Sequence, residues 1–155
     1  MRLVAYVAGL ILALDQLSKW LVVQVMNLKE LGVIDVLPPF VTLRMAWNRG
    51  VNFGLLAGEG ALTRWLLIGV ALAISAWVLW WMRSETRGLA RISAGLLIGG
   101  AVGNVADRMI YGAVADFLNV TCCGIDNPFA FNVADIAVFA GAFGLILFTG
   151  EKKTP

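Results

Sequence analysis

The sequence predicts an all-α membrane protein with four transmembrane helices and a small extracytoplasmic β-sheet. The chain has 155 residues, of which 60% are hydrophobic and only 14% are charged, and its mean hydropathy is +0.84. A soluble domain of this length could not bury so much apolar surface, so lipid is the expected solvent of many side chains. The length predicts a single domain over residues 1–155.

Four long apolar segments predict the transmembrane helices. Each has 18 to 21 residues, which corresponds to about 27–31 Å of α-helix and matches the hydrocarbon core of a bilayer. The first segment begins like a signal peptide after Arg2. Its apolar run continues past Asp15 and lacks a clear cleavage site, so we expect it to be retained. The predicted spans are residues 3–23, 65–82, 92–110 and 133–150.

Loop charges predict the orientation of these helices. An even number of spans places both termini on one side of the membrane. The short loop at 83–91 carries three arginines and the C-terminal tail carries Lys152 and Lys153, whereas the loop at 111–130 has neither Lys nor Arg. Further cations lie elsewhere in the chain, but the charge density of the short loops predicts both termini in the cytoplasm.

The outer loop at about 24–64, between the first and second spans, predicts the β-sheet. It contains "GVIDVLPPFVTLRMAW" at 32–47, which is typical of two short strands on either side of Pro38-Pro39. An Asn- and Gly-rich stretch, "NRGVNFGLLAGEG" at 48–60, follows it. With cytoplasmic termini, the sheet is expected at the outer membrane surface.

Residue types that the chain lacks restrict its chemistry. There is no histidine, which excludes Ser–His and Cys–His nucleophile pairs and His-ligated metal sites. Ser18 adjoins Lys19, but neighbouring helix residues point about 100° apart, so a Ser–Lys dyad is not expected. Cys122 and Cys123 are adjacent and fit neither a disulfide scaffold nor zinc spacing, so we interpret them as small loop residues. We expect no metal or cofactor, and a net charge of +2 without a basic run predicts no nucleic-acid partner.

Polar residues cluster at the ends of the spans that this topology places in the outer leaflet, and they predict a functional site there. The inner halves of the same spans contain almost nothing polar, and Asp116 follows in the outer loop. The residues within the spans are Asp15, Lys19, Asn104, Asp107, Arg108, Asn132 and Asp135.

Structural roles are the simpler explanation for several of these residues. Asp15 and Lys19 are four positions apart on one helix face and can neutralise each other. Interhelical hydrogen bonds account for the polar residues of the third span, with contact between Arg108 and a lipid headgroup as the alternative. Gly99 and Gly103 form a G-x-x-x-G pattern that predicts close helix packing.

Asp116 and Asp135 are harder to explain structurally, because neither has a cation three or four positions away. An ion pair with Arg108 is one hypothesis. If the two carboxylates instead face each other, repulsion and low dielectric raise the pKa of one, so that one is protonated and one ionised near neutral pH. Such a pair can activate a water molecule and polarise a carbonyl group, which is the chemistry of an aspartic protease.

Five sequence blocks, in this order, give the chain a family resemblance. They are "DQLSK" at 15–19, "NRGVNFGLL" at 48–56, "GGAVGNVADR" at 99–108, "VADFLNV" at 114–120 and "FNVADIAV" at 131–138. The blocks extend over nearly the whole chain, and five in order are far more specific than one. With these blocks the chain resembles the lipoprotein signal peptidase (signal peptidase II) family, the aspartic proteases of the bacterial inner membrane.

The resemblance implies a role for each matching residue. Asp116 and Asp135 would be the catalytic pair, and Asp15 and Lys19 would support them. Val51 and Asn52 depart from the small residues usual in the second block, and the Cys122-Cys123 loop is not a family feature, which leaves fine specificity open. The residues expected to bind the substrate or line the site are Asn48, Gly50, Asn104, Arg108 and Asn132.

The resemblance also implies the substrate and the setting. The substrate would be a prolipoprotein with a diacylglyceryl-modified cysteine, cut on the N-terminal side of that cysteine. The chain would be a single integral-membrane peptidase domain in the bacterial inner membrane, in contact with membrane lipid, working as a monomer with its active site toward the periplasm.

Two other classes of protein compete with the peptidase. A small proton-coupled membrane transporter would carry polar residues through both halves of its helices and an inverted repeat, and the sequence shows neither. A non-catalytic membrane adaptor held together by Asp–Arg pairs would lose assembly, rather than turnover, when Asp116 or Asp135 is changed to Asn.

Overall fold

The computed structural model of the chain describes residues 1–50, 61–121 and 127–150. Val51, Asn52, Cys122, Cys123, Lys152 and Lys153, all considered above, lie outside these ranges. The described chain is mostly helical, with a small antiparallel sheet. Its elements, in order, are α1 (Arg2–Lys19, continued by a π-helical segment Trp20–Val25), α2 (Leu28–Leu31), β1 (Val33–Leu37), β2 (Val41–Asn48), α3 (Ala61–Trp81), α4 (Gly88–Tyr111), β3 (Val114–Val120) and α5 (Val133–Phe148).

Three of the helices are long and apolar enough to cross a membrane. They are Arg2–Val25, Ala61–Trp81 and Gly88–Tyr111, with 24, 21 and 24 residues. Helix α5 is also apolar but has only 16 residues. Large apolar side chains cover the outside of the helices, for example Leu62 at 79% exposure and Phe139 at 76%. Lipid is the solvent that suits such a surface, and the chain is a membrane protein.

The sheet has three strands in the order β1-β2-β3. The predicted pair of strands around Pro38-Pro39 is confirmed as the β1–β2 hairpin. The third strand was not predicted. It follows α4 after Gly112, whose φ of +80° suits the left-handed turn that ends the helix. Pairing of Asn48 with Val114 and of Ala46 with Asp116 then fixes the position of Asp116 on the sheet.

Helix α4 packs between α1 and α5, and its glycines allow the close approach. A Cβ atom added at Gly99 would lie 2.6 Å from the carbonyl oxygen of Ala8 on α1. One added at Gly100 would overlap the carbonyl oxygen of Ala134 on α5. The close packing predicted from the G-x-x-x-G pattern is therefore confirmed.

Two apolar clusters lie at opposite ends of the helices. The first joins the start of α1 and α4 to the ends of α3 and α5, and the second lies beneath the sheet. Between them, the described polar groups collect where α1 and α4 end and α5 begins. The first cluster contains Val4, Val78, Met82, Ala90, Ala94, Leu97 and Leu145, and the second contains Val22, Leu28, Leu43 and Phe117.

Candidate active site

Asp116 and Asp135 reach the site from different kinds of secondary structure. Asp116 lies on β3 and is buried, with 3% exposure. Asp135 lies in the first turn of α5 and is half-buried. Asn132 begins this helix, and its side-chain oxygen accepts a hydrogen bond from the Asp135 N–H at 2.9 Å. The Asp135 carboxylate in turn accepts the Asn132 N–H at 3.4 Å, which completes a capping box and holds Asp135 at the start of the helix.

Asn132 also connects the two carboxylates. Its side-chain N–H donates to Asp116 Oδ1 at 2.7 Å, and its backbone N–H donates to Asp135 Oδ2 at 3.4 Å. The side-chain amide group also lies within hydrogen-bond distance of Asn104 Oδ1, at 3.3 Å. One fully buried side chain therefore couples β3, α4 and α5 at the point where the two aspartates meet.

Each carboxylate has a further asparagine of its own. Asn104 Nδ2 donates to Asp135 Oδ1 at 2.8 Å, and Asn48 Nδ2 donates to Asp116 Oδ2 at 3.1 Å. Gly50 contributes indirectly, because its N–H donates to Asn48 Oδ1 at 3.2 Å and thereby orients the amide. The structure thus brings together Asn48, Asn104 and Asn132 with both aspartates. Gly50 lies behind Asn48.

The environment of Asp116 favours its protonated form. Burial, and next the negative charge of Asp135, raise the pKa of Asp116 to about 7. Hydrogen bonds from Asn48 and Asn132 and the positive charge of Lys19 act in the opposite direction without overcoming these effects. This is the direction that the sequence predicts for two facing carboxylates. Near neutral pH, Asp116 can therefore hold or release a proton.

Arg108 lies beside the pair without forming an ion pair with either aspartate. Its charge interacts with both of them, but its guanidinium donates to the backbone oxygen of Asn104, at 3.4 Å. In the ranges that the structure describes, the ion pairs join Lys19 to Asp15 and to Asp107. The hypothesis of a structural Arg108 ion pair is therefore wrong for this structure. The half-buried guanidinium remains available beside the site.

Asp15 and Lys19 form the predicted ion pair, at 2.7 Å, but the cluster is larger than predicted. Lys19 also pairs with Asp107 at 2.9 Å, and Gln16 Nε2 donates to Asp107 Oδ1 at 2.9 Å. The sequence indicated interhelical hydrogen bonding for Asp107, and this is confirmed. It did not identify Gln16, although its position next to Asp15, on a helix rich in apolar residues, was an available signal.

An apolar groove opens beside Asp135. It has a volume of about 770 Å³, and among its lining residues only Asp135 is charged. Ile136, Phe139 and Ala140 follow Asp135 at helical spacing, and this spacing is the signal in the sequence that could have predicted an apolar surface beside Asp135. The other lining residues are Phe129, Ala130 and Phe131. Over the described ranges, no group of three or more Cys, Asp or Glu side chains is arranged to hold a metal ion.

Two neighbouring carboxylates at one end of a bundle of apolar helices are the arrangement expected of a membrane-embedded aspartic hydrolase. Comparison with known proteins gives the family. The profile of signal peptidase (SPase) II matches residues 7–150, and the chain belongs to this family. The sequence resemblance is confirmed.

Individual relatives match over most of their length. A lipoprotein signal peptidase of Methylorubrum extorquens is 44% identical over 151 residues, which cover 92% of this chain and 85% of the relative. One from Rhodopseudomonas palustris is 42% identical, covering 90% of this chain and 87% of the relative. A bacterial membrane enzyme solved by the in meso method at 1.9 Å superposes with a TM-score of 0.78 at 25% identity, covering 97% of this chain and 94% of that one. These findings do not favour the transporter.

Proposed function

We propose that this chain is an endopeptidase that removes signal peptides from prolipoproteins, with Asp116 and Asp135 as the catalytic pair. The observation that carries the proposal is the hydrogen-bonded bridge from Asn132 to both aspartates, in a chain that belongs to the signal peptidase II family. Removal of signal peptides is the activity that the relatives' name describes.

The pair performs the hydrolysis by sharing one proton. Because the pKa of Asp116 is raised to about 7, one carboxyl is protonated and the other ionised near neutral pH. The ionised group takes a proton from a water molecule, whose oxygen attacks the carbonyl carbon of the scissile peptide bond. The protonated group donates its hydrogen to the carbonyl oxygen. The tetrahedral diol then collapses: one of its hydroxyl groups returns a proton to the ionised carboxylate as the carbonyl re-forms, and the leaving amine takes the proton held by the other carboxyl, so that the pair again holds one proton.

The asparagines keep the two carboxylates in position during this exchange. Asn48 and Asn104 each hold one carboxylate oxygen, and both residues are half-buried. Arg108 lies beside the pair with free N–H groups, and we assign it to the substrate backbone or to a lipid phosphate.

The substrate is a prolipoprotein with a diacylglyceryl group on the cysteine that follows the cut. The apolar groove beside Asp135 supports this assignment, because a signal helix or an acyl chain needs an apolar surface within reach of the reacting carboxylate. Cleavage on the N-terminal side of the modified cysteine leaves that lipidated residue as the new N-terminus.

The proposed setting is the bacterial inner membrane, with residues 1–155 as one integral-membrane domain acting as a monomer. Helix α5 is the fourth span, and the termini lie in the cytoplasm with the sheet and the site toward the periplasm. Arg87 supports this arrangement, because it lies in the basic loop between α3 and α4 and donates to the carbonyl oxygens of Phe148 and Gly150. The positive loop and the end of α5 therefore lie on the same side.

Cleavage of a synthetic precursor tests the catalytic assignment. Purified wild type, Asp116→Asn and Asp135→Asn are assayed in detergent with a diacylglyceryl-modified precursor peptide and with the same peptide unmodified. We expect the wild type to cut only the modified peptide, immediately before the cysteine. Each variant should lose about 100- to 10,000-fold in kcat while keeping its melting temperature. Near-normal turnover by a folded variant would remove that aspartate from the mechanism. Variants that fail to assemble would favour the adaptor.

A further inference from the structure

Both proposed catalytic aspartates end a Val-Ala-Asp tripeptide, at 114–116 and at 133–135, and a third copy at 105–107 ends at Asp107. The two copies that end at the proposed catalytic aspartates have different secondary structures, one in β3 and one in the first turn of α5. In both, the alanine is buried, with 2% exposure at Ala115 and none at Ala134. Such small side chains let the backbone approach the neighbouring helices closely.

The alanine N–H of each of these two copies donates to a buried carboxylate on another element. Ala115 N–H donates to Asp107 Oδ2 on α4 at 3.0 Å, and Ala134 N–H donates to Asp15 Oδ1 on α1 at 3.0 Å. Neither N–H has a regular partner. Ala134 lies in the first turn of its helix, where N–H groups lack intrahelical acceptors, and β3 is an edge strand of the sheet.

Asp107 and Asp15 are themselves held together as one unit. Lys19 Nζ lies 2.9 Å from Asp107 Oδ2 and 2.7 Å from Asp15 Oδ2. Gln16 Nε2 donates to both carboxylates, at 2.9 and 3.1 Å. The three charged side chains are almost fully buried, so solvent cannot replace these bonds. A Cβ atom added at Gly103 would lie 2.6 Å from Asp15 Oδ2, so the cluster also has little room to shift on that side.

We infer that Asp107 and Asp15 are positioning residues, which fix the spacing of the catalytic carboxylates by anchoring the N–H of the residue before each one. Asp107 anchors Ala115 and so sets Asp116, while Asp15 anchors Ala134 and so sets Asp135. Lys19 and Gln16 tie the two anchors together. This inference rests on the proposed catalytic pair, and it assigns to the cluster a role beyond helix packing.

The anchors affect the reaction rate by fixing the distance between the two catalytic carboxylates. The pair must hold a water molecule and a carbonyl group between two carboxylates, and a misplacement of about 1 Å can cost about 100-fold in rate. Each anchored N–H belongs to the residue immediately before the reacting aspartate, so loss of an anchor moves the aspartate directly. Substrate binding depends on other surfaces and should change far less.

Steady-state kinetics of Asp107→Ala and Asp107→Asn test the inference in the purified full-length chain. The assay uses the diacylglyceryl-modified precursor peptide described above. We expect Asp107→Ala to lower kcat by about 10- to 100-fold with KM changed less than about threefold. Asp107→Asn keeps an oxygen that can accept the Ala115 N–H, so it should recover a substantial part of the lost kcat. Ser93→Ala is the matched control, because Ser93 is a buried polar residue of α4 whose hydroxyl, among the described residues, donates to Leu89 O of its own helix.

Hydrogen exchange resolved at single amides separates the two anchors. Asp107→Asn should speed exchange at Ala115 more than at Ala134, and Asp15→Asn should do the reverse. Equal effects at both amides, or a normal kcat in folded Asp107→Ala, would overturn the inference. If Asp107→Ala does not fold, the exchange pattern of the two Asn variants decides. Loss of activity in Asp116→Asn with a normal kcat in folded Asp107→Ala would refute positioning alone, whereas an active Asp116→Asn would refute the catalytic pair itself.

Discussion

The two ends of the helical bundle bury different kinds of side chain, apolar at one end and charged at the other. Where α1 begins, buried apolar side chains such as Val4, Val78 and Met82 fill the space between helices. Where α1 ends, the same helices bury Asp15 and Asp107 with no exposure at all. Apolar packing stabilises one end, whereas hydrogen bonds and ion pairs stabilise the other. The apolar cluster and the candidate active site therefore lie at different ends of the same helices.

Burial costs more free energy at the polar end than at the apolar end, unless each charge is paired. A buried charge is costly unless it is paired and hydrogen-bonded, and removing one partner leaves the other uncompensated. Lys19 pairs with both Asp15 and Asp107. The Ala134 N–H donates to the other oxygen of Asp15, and the Ala115 N–H shares Asp107 Oδ2 with Lys19. A substitution at this end should therefore change activity, whereas a substitution at the apolar end should change only stability.

Apart from the two aspartates themselves, the largest effect is expected at Asn132. Asn132→Ala removes the bridge to Asp116 and the cap of α5, so we expect kcat to fall by about 100-fold or more. Loss of the cap should also reduce the free energy of unfolding by about 0.5–2 kcal/mol. Asn132→Ser is the matched variant, because serine can cap the helix but cannot reach Asp116. It should recover the melting temperature and not kcat, and a serine variant with normal kcat would contradict the bridging role.

A stability effect without an activity effect is expected at Met82. Met82→Ala leaves a cavity in the apolar cluster, where Met82 has no exposure. We expect a loss of about 2 kcal/mol, at the low end for a buried Met→Ala change, because lipid or detergent removes part of the transfer cost. Thermal denaturation in detergent measures it. Met109→Ala, at a methionine with 51% exposure, should leave the melting temperature nearly unchanged. A fall in kcat for folded Met82→Ala would show that the two ends are coupled.

The smallest expected effect is a shift in the pH profile of kcat when Asn48 is replaced. The pKa of Asp116 is raised to about 7, so the pair should lose its shared proton, and its activity, as the pH rises through this region. The hydrogen bond from Asn48 lowers this pKa, while burial and Asp135 raise it. Asn48→Leu should therefore move the alkaline limb of kcat to higher pH. Arg108→Lys, which keeps the charge beside the pair, is the control. A limb that moves to lower pH in Asn48→Leu would contradict the assignment.

The helices and the residues of the site could be predicted because both depend on local signals. Long apolar runs give the helices directly, and ionisable residues inside such runs are rare enough to mark a site. The Asp15–Lys19 pair could also be predicted, since residues four apart share a helix face. The spacing of Asn132 and Asp135 was visible in the same way, although its role as a capping box was not stated.

Contacts between distant parts of the chain could not be predicted from spacing. The segment that forms β3 was predicted to lie in a loop. Its partner strand, β2, lies far away in the sequence, and only that pairing makes the segment a strand. Asp107 could be assigned to interhelical hydrogen bonding, but not to Lys19, because only the packing of α4 against α1 brings them together. The register between elements is set by the whole fold, and no local pattern encodes it.

The ion pair between Asp15 and Lys19 has a consequence for how the protein is made. Because both residues lie on α1, this helix can enter the bilayer as a neutral pair while the rest of the chain is still on the ribosome. Asp15 Oδ1 then lacks its final partner until Ala134 emerges, 119 residues later. The newly made chain thus completes its site only when its last helix is in place. A chain that stops before α5 leaves this oxygen without the Ala134 N–H.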